Sequence, residues 1–215
     1  MQGRRGRPRE GENEARRAAV LDAAFAELVE RGYTGTTMLA VARRAGASKE
    51  TLYSWFGDKR GLFAALVRRQ SEQANAAVAE ALALDRPARE TLTVFAVRLL
   101  RLLLGEASVA INRAAVAAPE LAGVLLAEGR HTTGPLVAGH LAELAARGEI
   151  AACDPEEAFR LLYGLVVSDT QIRVLLGEAP PADLEERARR AVDRFLALLP
   201  PSPARDPSGH GAGAC

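Results

Sequence analysis

The stretch Thr37–Phe56, TMLAVARRAGASKETLYSWF, decides the fold expected for the first part of this chain. Thr37 can cap a short helix through Arg44, and Ser48 can cap a second one, because a hydroxyl accepts a hydrogen bond from a backbone amide at a helix start. Between them, Gly46 permits a sharp turn, since a left-handed backbone costs glycine little. Short helix, small-residue turn and short helix together are typical of a helix-turn-helix.

The second helix of this motif has the surface of a binding element. Val41 and Ala45 of the first helix and Leu52 of the second can form a shared core, which leaves polar, cationic and aromatic side chains outside. In such motifs the first residues of the second helix reach base edges in the major groove of DNA. We therefore expect DNA contacts from Ser48, Lys49, Glu50, Thr51, Tyr53, Ser54 and Trp55.

Some candidate contacts have a second interpretation. Glu50 can accept a hydrogen bond from cytosine N4, or it can simply favour the helix N-terminus electrostatically. Tyr53 can contact DNA or pack on the fourth helix. Arg5 and Arg7, in the segment RGRP, suit an A·T-rich minor groove but can also belong to a solvated tail. We favour DNA contact for Tyr53 and both arginines and keep Glu50 as a candidate.

The charge distribution points to the same partner. The net charge is +1, but residues 1–70 contain 14 Lys and Arg against 8 Asp and Glu, a net of +6. The remaining residues carry a net of −5. A basic first third joined to an acidic remainder favours a polyanion as the partner of the first third, although local charge patches are common in helical proteins.

Helical periodicity continues along the rest of the chain, so the fold class expected is all-α, with about nine helices and no strand. Pro87 and Gly105 bound one helix, and Pro119 begins another that we expect to break at residues 129–135, where Pro135 lacks an amide hydrogen. Asp154 and Pro155 begin a helix expected to reach residue 176, and a last helix runs from residue 183 to residue 200. The predicted organisation is a disordered basic arm (1–13), a helix-turn-helix domain (14–60), a second helical domain (61–200) and a disordered tail (201–215).

Several other classes of protein are disfavoured by the sequence. Breaks keep every apolar stretch below the ~18 residues that span a bilayer, and no signal peptide is visible, so no membrane partner is expected. Two cysteines, Cys153 and Cys215, suit a reducing cytoplasm. His131 and His140 lack ligand partners at metal-binding spacing, and no catalytic or phosphate-loop motif occurs. We expect neither an enzyme nor a cofactor.

The stretch from GRPRE through GYTGTTMLAVARRAGASKETLYSWFGDKRGLFAALV resembles the N-terminal domain of TetR/AcrR regulators over about sixty residues. The landmarks include Gly32-Tyr33, Ser48-Lys49 and Lys59. The resemblance implies that Thr37 and Lys59 contact phosphate, and that Lys49, Thr51 and Tyr53 belong to the recognition helix. The chain departs from the family at Leu39 and Ala40, which are usually polar, and at Trp55, which is usually Tyr or His.

The resemblance also gives the second domain two roles, effector binding and dimerisation. Three-four spacing on the last two long helices is compatible with an intramolecular core or a two-fold four-helix bundle, and the resemblance favours the bundle. The residues expected at this interface are Ala158, Leu161, Gly164, Leu165, Ile172, Leu184, Ala188, Ala191 and Phe195. The residues expected around an effector in the middle helices are Phe95, Leu99, Asn112, Arg113, Val116, Leu125 and Tyr163.

The function expected is that of a sequence-specific transcriptional regulator. We interpret the chain as a cytoplasmic homodimeric repressor that binds a palindromic operator in double-stranded DNA and is released by a small apolar ligand. The alternative is an architectural DNA-binding protein that has no effector.

Overall fold

A computed structural model describes residues 10–83 and 86–201, and the described residues are helical without strands. The all-α prediction is confirmed. The helices are α1 (Glu10–Gly35), α2 (Met38–Ala45), α3 (Lys49–Phe56), α4 (Lys59–Leu82), α5 (Ala88–Leu104), α6 (Glu106–Ala117), α7 (Pro119–Leu125), α8 (His131–Ala146), α9 (Pro155–Val167), α10 (Thr170–Leu175) and α11 (Leu184–Leu198). The described residues thus contain eleven α-helices, against about nine expected from the sequence.

Helix α1 differs from the prediction at both ends. It begins at Glu10, so residues 10–13, expected to be part of a disordered arm, are helical. The acidic residues of this segment favour a helix N-terminus electrostatically. Near its other end Gly32 has φ 66° and ψ 175°, so the axis kinks at the predicted stop and one more turn follows. The Thr36 hydroxyl donates to the Gly32 carbonyl over 2.8 Å.

The predicted break at residues 129–135 is wrong. Helix α7 continues through a π-helical turn, Leu126–Arg130, into α8, and Pro135 lies inside α8. Because Pro135 has no amide hydrogen for the preceding turn, the helix adjusts locally instead of ending. The Thr132 hydroxyl donates to the Ala127 carbonyl over 2.9 Å at this turn.

The single helix expected from residue 155 to residue 176 is also wrong. Helix α9 ends at Val167, where Ser168 adopts φ 47°, and α10 begins at Thr170. A positive φ is uncommon for a residue with a side chain, so the chain must change direction here. Ser, Asp and Thr at positions 168–170 are weak helix formers, and this is the local signal that the apolar spacing hid.

The described residues form two compact units. The first contains residues 10–76, 102–132 and 171–180. Its core joins α1, α2, α3 and the start of α4 with α6 and α7, and fully buried side chains such as Val41, Leu52, Leu62 and Phe63 fill it. This core supports the helix-turn-helix.

The second unit contains residues 77–101, 133–170 and 181–201. Helices α9 and α11 pack on each other in it, with Leu162 and Phe195 fully buried. Gly134 of α8 allows close approach, because a Cβ there would lie 3.1 Å from the Phe159 ring. The Glu149 carboxylate accepts a hydrogen bond from the Ala88 amide over 2.8 Å and so caps the start of α5.

Candidate functional site

Local chemistry positions α3 as the sequence predicts. The Ser48 hydroxyl accepts from the Thr51 amide over 3.1 Å, and Gly46 adopts φ 62° in the turn between α2 and α3. On the inner side Leu52 and Phe56 are buried in the core of the first unit. Because these anchors fix one face of the helix, the opposite face is turned outward.

The outward face of α3 carries Lys49, Glu50, Tyr53 and Ser54, all exposed. The Lys49 ammonium lies 5.5 Å from the centre of the Tyr53 ring, and Tyr53 keeps 44% of its surface. The rest of the chain therefore covers Tyr53 only in part, and a partner can reach the remaining surface. The face offers a cation, a carboxylate and two hydroxyls, the groups that hydrogen-bond phosphates and base edges.

Two residues expected on this face are less open than predicted. Thr51 is half-buried, and its hydroxyl shares a 2.9 Å hydrogen bond with that of Ser48. Trp55 is half-buried against the core, with its ring edge-on to Phe56 at 6.3 Å. The expectation that Trp55 stands exposed is corrected: its large apolar ring is stabilised by packing, and part of its surface is left for a partner.

Thr37 is exposed at the start of α2, where its hydroxyl oxygen accepts from the Ala40 amide over 3.1 Å. A hydroxyl that accepts in this way still has its own hydrogen to donate. Thr37 can therefore cap the helix and contact a phosphate at the same time.

Lys59, at the start of α4, is half-buried and already engaged. Its ammonium donates to the Thr34 carbonyl over 3.3 Å and lies 4.4 Å from the centre of the Tyr33 ring. Burial lowers the pKa of Lys59, and the charge of Glu120 opposes that shift. The Tyr33 hydroxyl donates to the Glu120 carboxylate over 3.3 Å.

The arginines near the helix-turn-helix have different environments. Arg5 and Arg7 lie outside the described residues. Arg44 is held by Glu27 and Glu30 of α1, at 3.2 and 2.6 Å, and braces α1 against α2. Its neighbour Arg43 is exposed in the last turn of α2. The sequence analysis did not single out Arg43 as a candidate contact. The available signal was the adjacent pair Arg43 and Arg44, because the acidic residues of α1 pair with only one of them and the other stays exposed.

The effector residues expected in the first unit have separate surroundings. Asn112 donates to the Ser108 carbonyl over 2.8 Å, within its own helix. Arg113 donates to the carbonyls of Val174 and Leu175, over 3.1 and 3.0 Å, and so caps the end of α10. Val116 is 83% exposed, so its assignment to a pocket wall is corrected. Leu125 is half-buried beside the core.

In the second unit, Phe95 and Leu99 are buried and Tyr163 is half-buried, with its ring 5.9 Å from that of Phe159.

The first unit contains a cleft of about 480 Å³ between the end of α1 and α6. Leu28, Val29 and Val109 line it, and Arg113 is the predicted effector residue that it includes.

Four residues expected at a dimer interface belong to the intramolecular core instead. Ala158, Ala188, Ala191 and Phe195 are each 4% exposed or less, because α9 and α11 cover one another. The prediction that these four face a second copy is corrected. Among the others, Leu161, Leu165 and Leu184 are half-buried and Gly164 is exposed, whereas Ile172 is exposed on α10, in the other unit.

Helix α3 has a capped start, turns one face outward and packs with its other face on a core that includes α1, α2 and the start of α4. This arrangement defines a helix-turn-helix protein. The family model for bacterial regulatory proteins of the TetR family matches residues 20–66. The model for the C-terminal domain of AefR-like transcriptional repressors matches residues 90–198. The chain belongs to the TetR family of transcriptional regulators. These regulators are non-enzymatic DNA-binding proteins, which confirms the prediction that the chain is not an enzyme.

Curated relatives are similar over part of their length. The chain is 43% identical to the HTH-type transcriptional regulator BetI of Burkholderia thailandensis over 61 residues, 28% of this chain and 31% of that protein. It is 42% identical to the HTH-type transcriptional regulator YdeS of Bacillus subtilis over 59 residues, 27% of this chain and 28% of that protein. The chain thus matches less than a third of the length of either relative.

Solved structures are similar over most of the chain. A TetR transcriptional regulator from Agrobacterium tumefaciens is 39% identical, with a TM-score of 0.70, over 86% of this chain and 94% of that one. A TetR-family regulator from Mesorhizobium loti is 27% identical, with a TM-score of 0.78, over 86% and 97%. The flavonoid-responsive regulator FrrA is 27% identical, with a TM-score of 0.68, over the same shares. None of the helices in the described part of the chain is long and apolar enough to cross a bilayer.

Proposed function

We propose that this regulator is a cytoplasmic homodimeric repressor that binds a palindromic operator and is released by a small apolar ligand. The observation that carries the proposal is the outward face of α3, where Lys49, Glu50, Tyr53 and Ser54 are exposed on a helix with a capped start. Lys49 and Tyr53 suit phosphates, and Glu50 suits a base edge.

Dimerisation follows from the small size of one recognition helix. A single helix of this length contacts too few base pairs to select one genomic site, and two-fold pairing doubles the contacts. The surface offered to a second copy is the less buried side of α9, where Gly164 is exposed and Leu161 and Leu165 are half-buried. Glycine at position 164 has no atom within 4 Å of a built Cβ, so a helix of the partner has room there.

Release by an effector is supported by family membership and by the similarity to a regulator named for its response to flavonoids. Within this chain, Phe95, Leu99 and Tyr163 provide an apolar and aromatic set in the second unit. Such a set, with a few polar groups, is typical of small-molecule sites.

The test begins with selection of the genomic DNA fragments that the protein binds, followed by footprinting of the protein on those fragments. We expect a two-fold symmetric footprint, and Glu50→Ala should relax preference at one position in each half-site. An equal loss on every sequence would show that Glu50 acts on the helix N-terminus instead. Asymmetric protection without sequence preference would support the architectural alternative.

The effector part is tested by titrating a panel of flavonoids into the complex of protein and selected DNA. A true effector must bind DNA-free protein more tightly than the complex, because coupling is reciprocal, with a typical size of 1–3 kcal/mol. Equal affinity in both titrations for each compound would reject release by this class of ligand.

A further inference from the structure

An acidic residue from the C-terminal matched region lies beside the predicted phosphate contact of α4. Glu120, the second residue of α7, accepts a hydrogen bond from the Tyr33 hydroxyl over 3.3 Å. The face of the same Tyr33 ring carries the Lys59 ammonium at 4.4 Å. Tyr33 and Lys59 lie within residues 20–66, and Glu120 lies within residues 90–198, so one small cluster joins the two matched regions.

The cluster is anchored on its inner side by a ring contact and a hydrogen bond. The Tyr33 ring packs edge-on against the buried Phe63 ring, with centres 5.0 Å apart at 74°. The Lys59 ammonium also donates to the Thr34 carbonyl over 3.3 Å. An ammonium has three hydrogens, so Lys59 keeps donors for an outside acceptor while its position is fixed.

Glu120 changes what those donors can do. Burial removes water from the Lys59 ammonium, and the negative charge of Glu120 partly compensates by favouring its charged form. Because Glu120 and Lys59 both contact Tyr33, a DNA phosphate bound to Lys59 would lie in the field of the Glu120 carboxylate, and like charges repel. Both anions are therefore attracted by the same cation and repel each other.

We propose that Glu120 weakens DNA binding by competing with a backbone phosphate for Lys59, and so sets the affinity of the regulator. The inference rests on the proposed contact of Lys59 with DNA. Tyr33 is the positioning residue in this arrangement, because it holds the carboxylate on one side and the ammonium on the other. The charge of one residue in α7 then determines how strongly α4 holds the DNA backbone.

The test measures binding of the full chain to a fluorescein-labelled 30-base-pair duplex of arbitrary sequence, by fluorescence anisotropy at 50–200 mM salt. Glu120→Gln keeps a partner for Tyr33 but removes the charge. We expect it to bind about three times more tightly at 50 mM salt, with a gain that shrinks as salt screens the charges. Glu120→Asp keeps the charge and should bind as the wild type does.

Glu72→Gln is the matched control. Glu72 is exposed on α4, about 20 Å further along the helix than Lys59, and loses the same charge. It should change affinity much less than Glu120→Gln. An equal gain in the control would reduce the effect to net charge and overturn the proposal, as would unchanged or weaker binding by Glu120→Gln.

A double variant separates this inference from the proposed function. In a Lys59→Ala background the gain from Glu120→Gln should disappear, because the two residues act through one contact. A gain of undiminished size would overturn the competition. If Lys59→Ala alone binds the duplex as the wild type does, the contact of Lys59 with DNA fails and the inference fails with it. If Lys59→Ala weakens binding and Glu120→Gln changes nothing, the inference alone is rejected.

Discussion

Helices α3 and α11 both carry residues predicted to contact another molecule, but these residues are exposed on α3 and buried on α11. On α3, Lys49, Glu50, Tyr53 and Ser54 are exposed as expected. On α11, Ala188, Ala191 and Phe195 are buried inside the chain. Polar residues on a helix can be assigned to the outside from sequence, because burying them unpaired is costly. Apolar residues show that a face is covered without showing which molecule covers it.

The largest expected effect tests the buried side of this comparison. Phe195→Ala should lower the free energy of unfolding by about 3–5 kcal/mol, because it removes a fully buried ring and leaves a cavity. Chemical denaturation at two protein concentrations measures it. Leu198→Ala, on the same helix but 59% exposed, is the control and should cost much less. If the loss of unfolding free energy appears only at protein concentrations where dimers form, Phe195 lies at an interface between copies.

The turn before α3 provides the next test. Gly46 has φ 62°, and a Cβ there would meet no atom within 4 Å, so an alanine is penalised through the backbone alone. Gly46→Ala should cost about 1–2 kcal/mol of unfolding free energy. Gly123→Ala in α7, which also has open space around it, should instead stabilise by about 1 kcal/mol, since alanine is the better helix former. Thermal denaturation of the two variants should shift in opposite directions.

The exposed side of the comparison is tested by Lys49→Ala. Losing one phosphate contact should weaken binding to every duplex by a similar factor and reduce the slope of log affinity against log salt by about one. Arg194→Ala removes a positive charge from an exposed position of α11 and should leave that slope unchanged. If the slope of Lys49→Ala stays at the wild-type value, Lys49 does not contact a phosphate, and the proposed position of α3 on DNA is wrong.

The smallest expected effect concerns a polar residue that is buried, in contrast to the exposed polar residues of α3. The His140 side chain on α8 is only 9% exposed. Burial lowers its pKa, as does Arg147 to a lesser extent, while Glu143 and Glu149 oppose the shift. The unfolded chain therefore binds a proton more readily, and stability should fall as pH drops below about 6.5.

His140→Gln should remove part of this pH dependence, and His131→Gln, at an exposed position, should retain it. Denaturation curves between pH 5 and pH 8 compare the two variants. Parallel pH profiles for the wild type and His140→Gln would show that the imidazole does not titrate in this way.

Local chemistry explains most of what could be predicted along the chain. Thr37, Ser48 and Asp154 cap the helices that follow them, and each acts through residues within three positions of its own. Gly46 serves the turn for the same reason. The widened turn before α8 and the break at Ser168 were missed, because spacing of apolar residues tolerates a local change of helix geometry. The exposure of Val116 was missed because the residues of its own helix do not show which apolar side chains another element covers.

The sequence by itself determined the class of fold, the helix-turn-helix and the face of α3 that is turned outward, since caps, glycine conformations and polar patterning act over a few residues. Tertiary structure decided which apolar faces cover one another, that Arg113 caps α10, and that Glu120 lies beside Tyr33 across 87 positions of sequence. Such contacts depend on how distant helices pack, and the hydrophobic effect that drives packing has no direction of its own. Many partners satisfy one apolar stripe, and the folded chain selects among them.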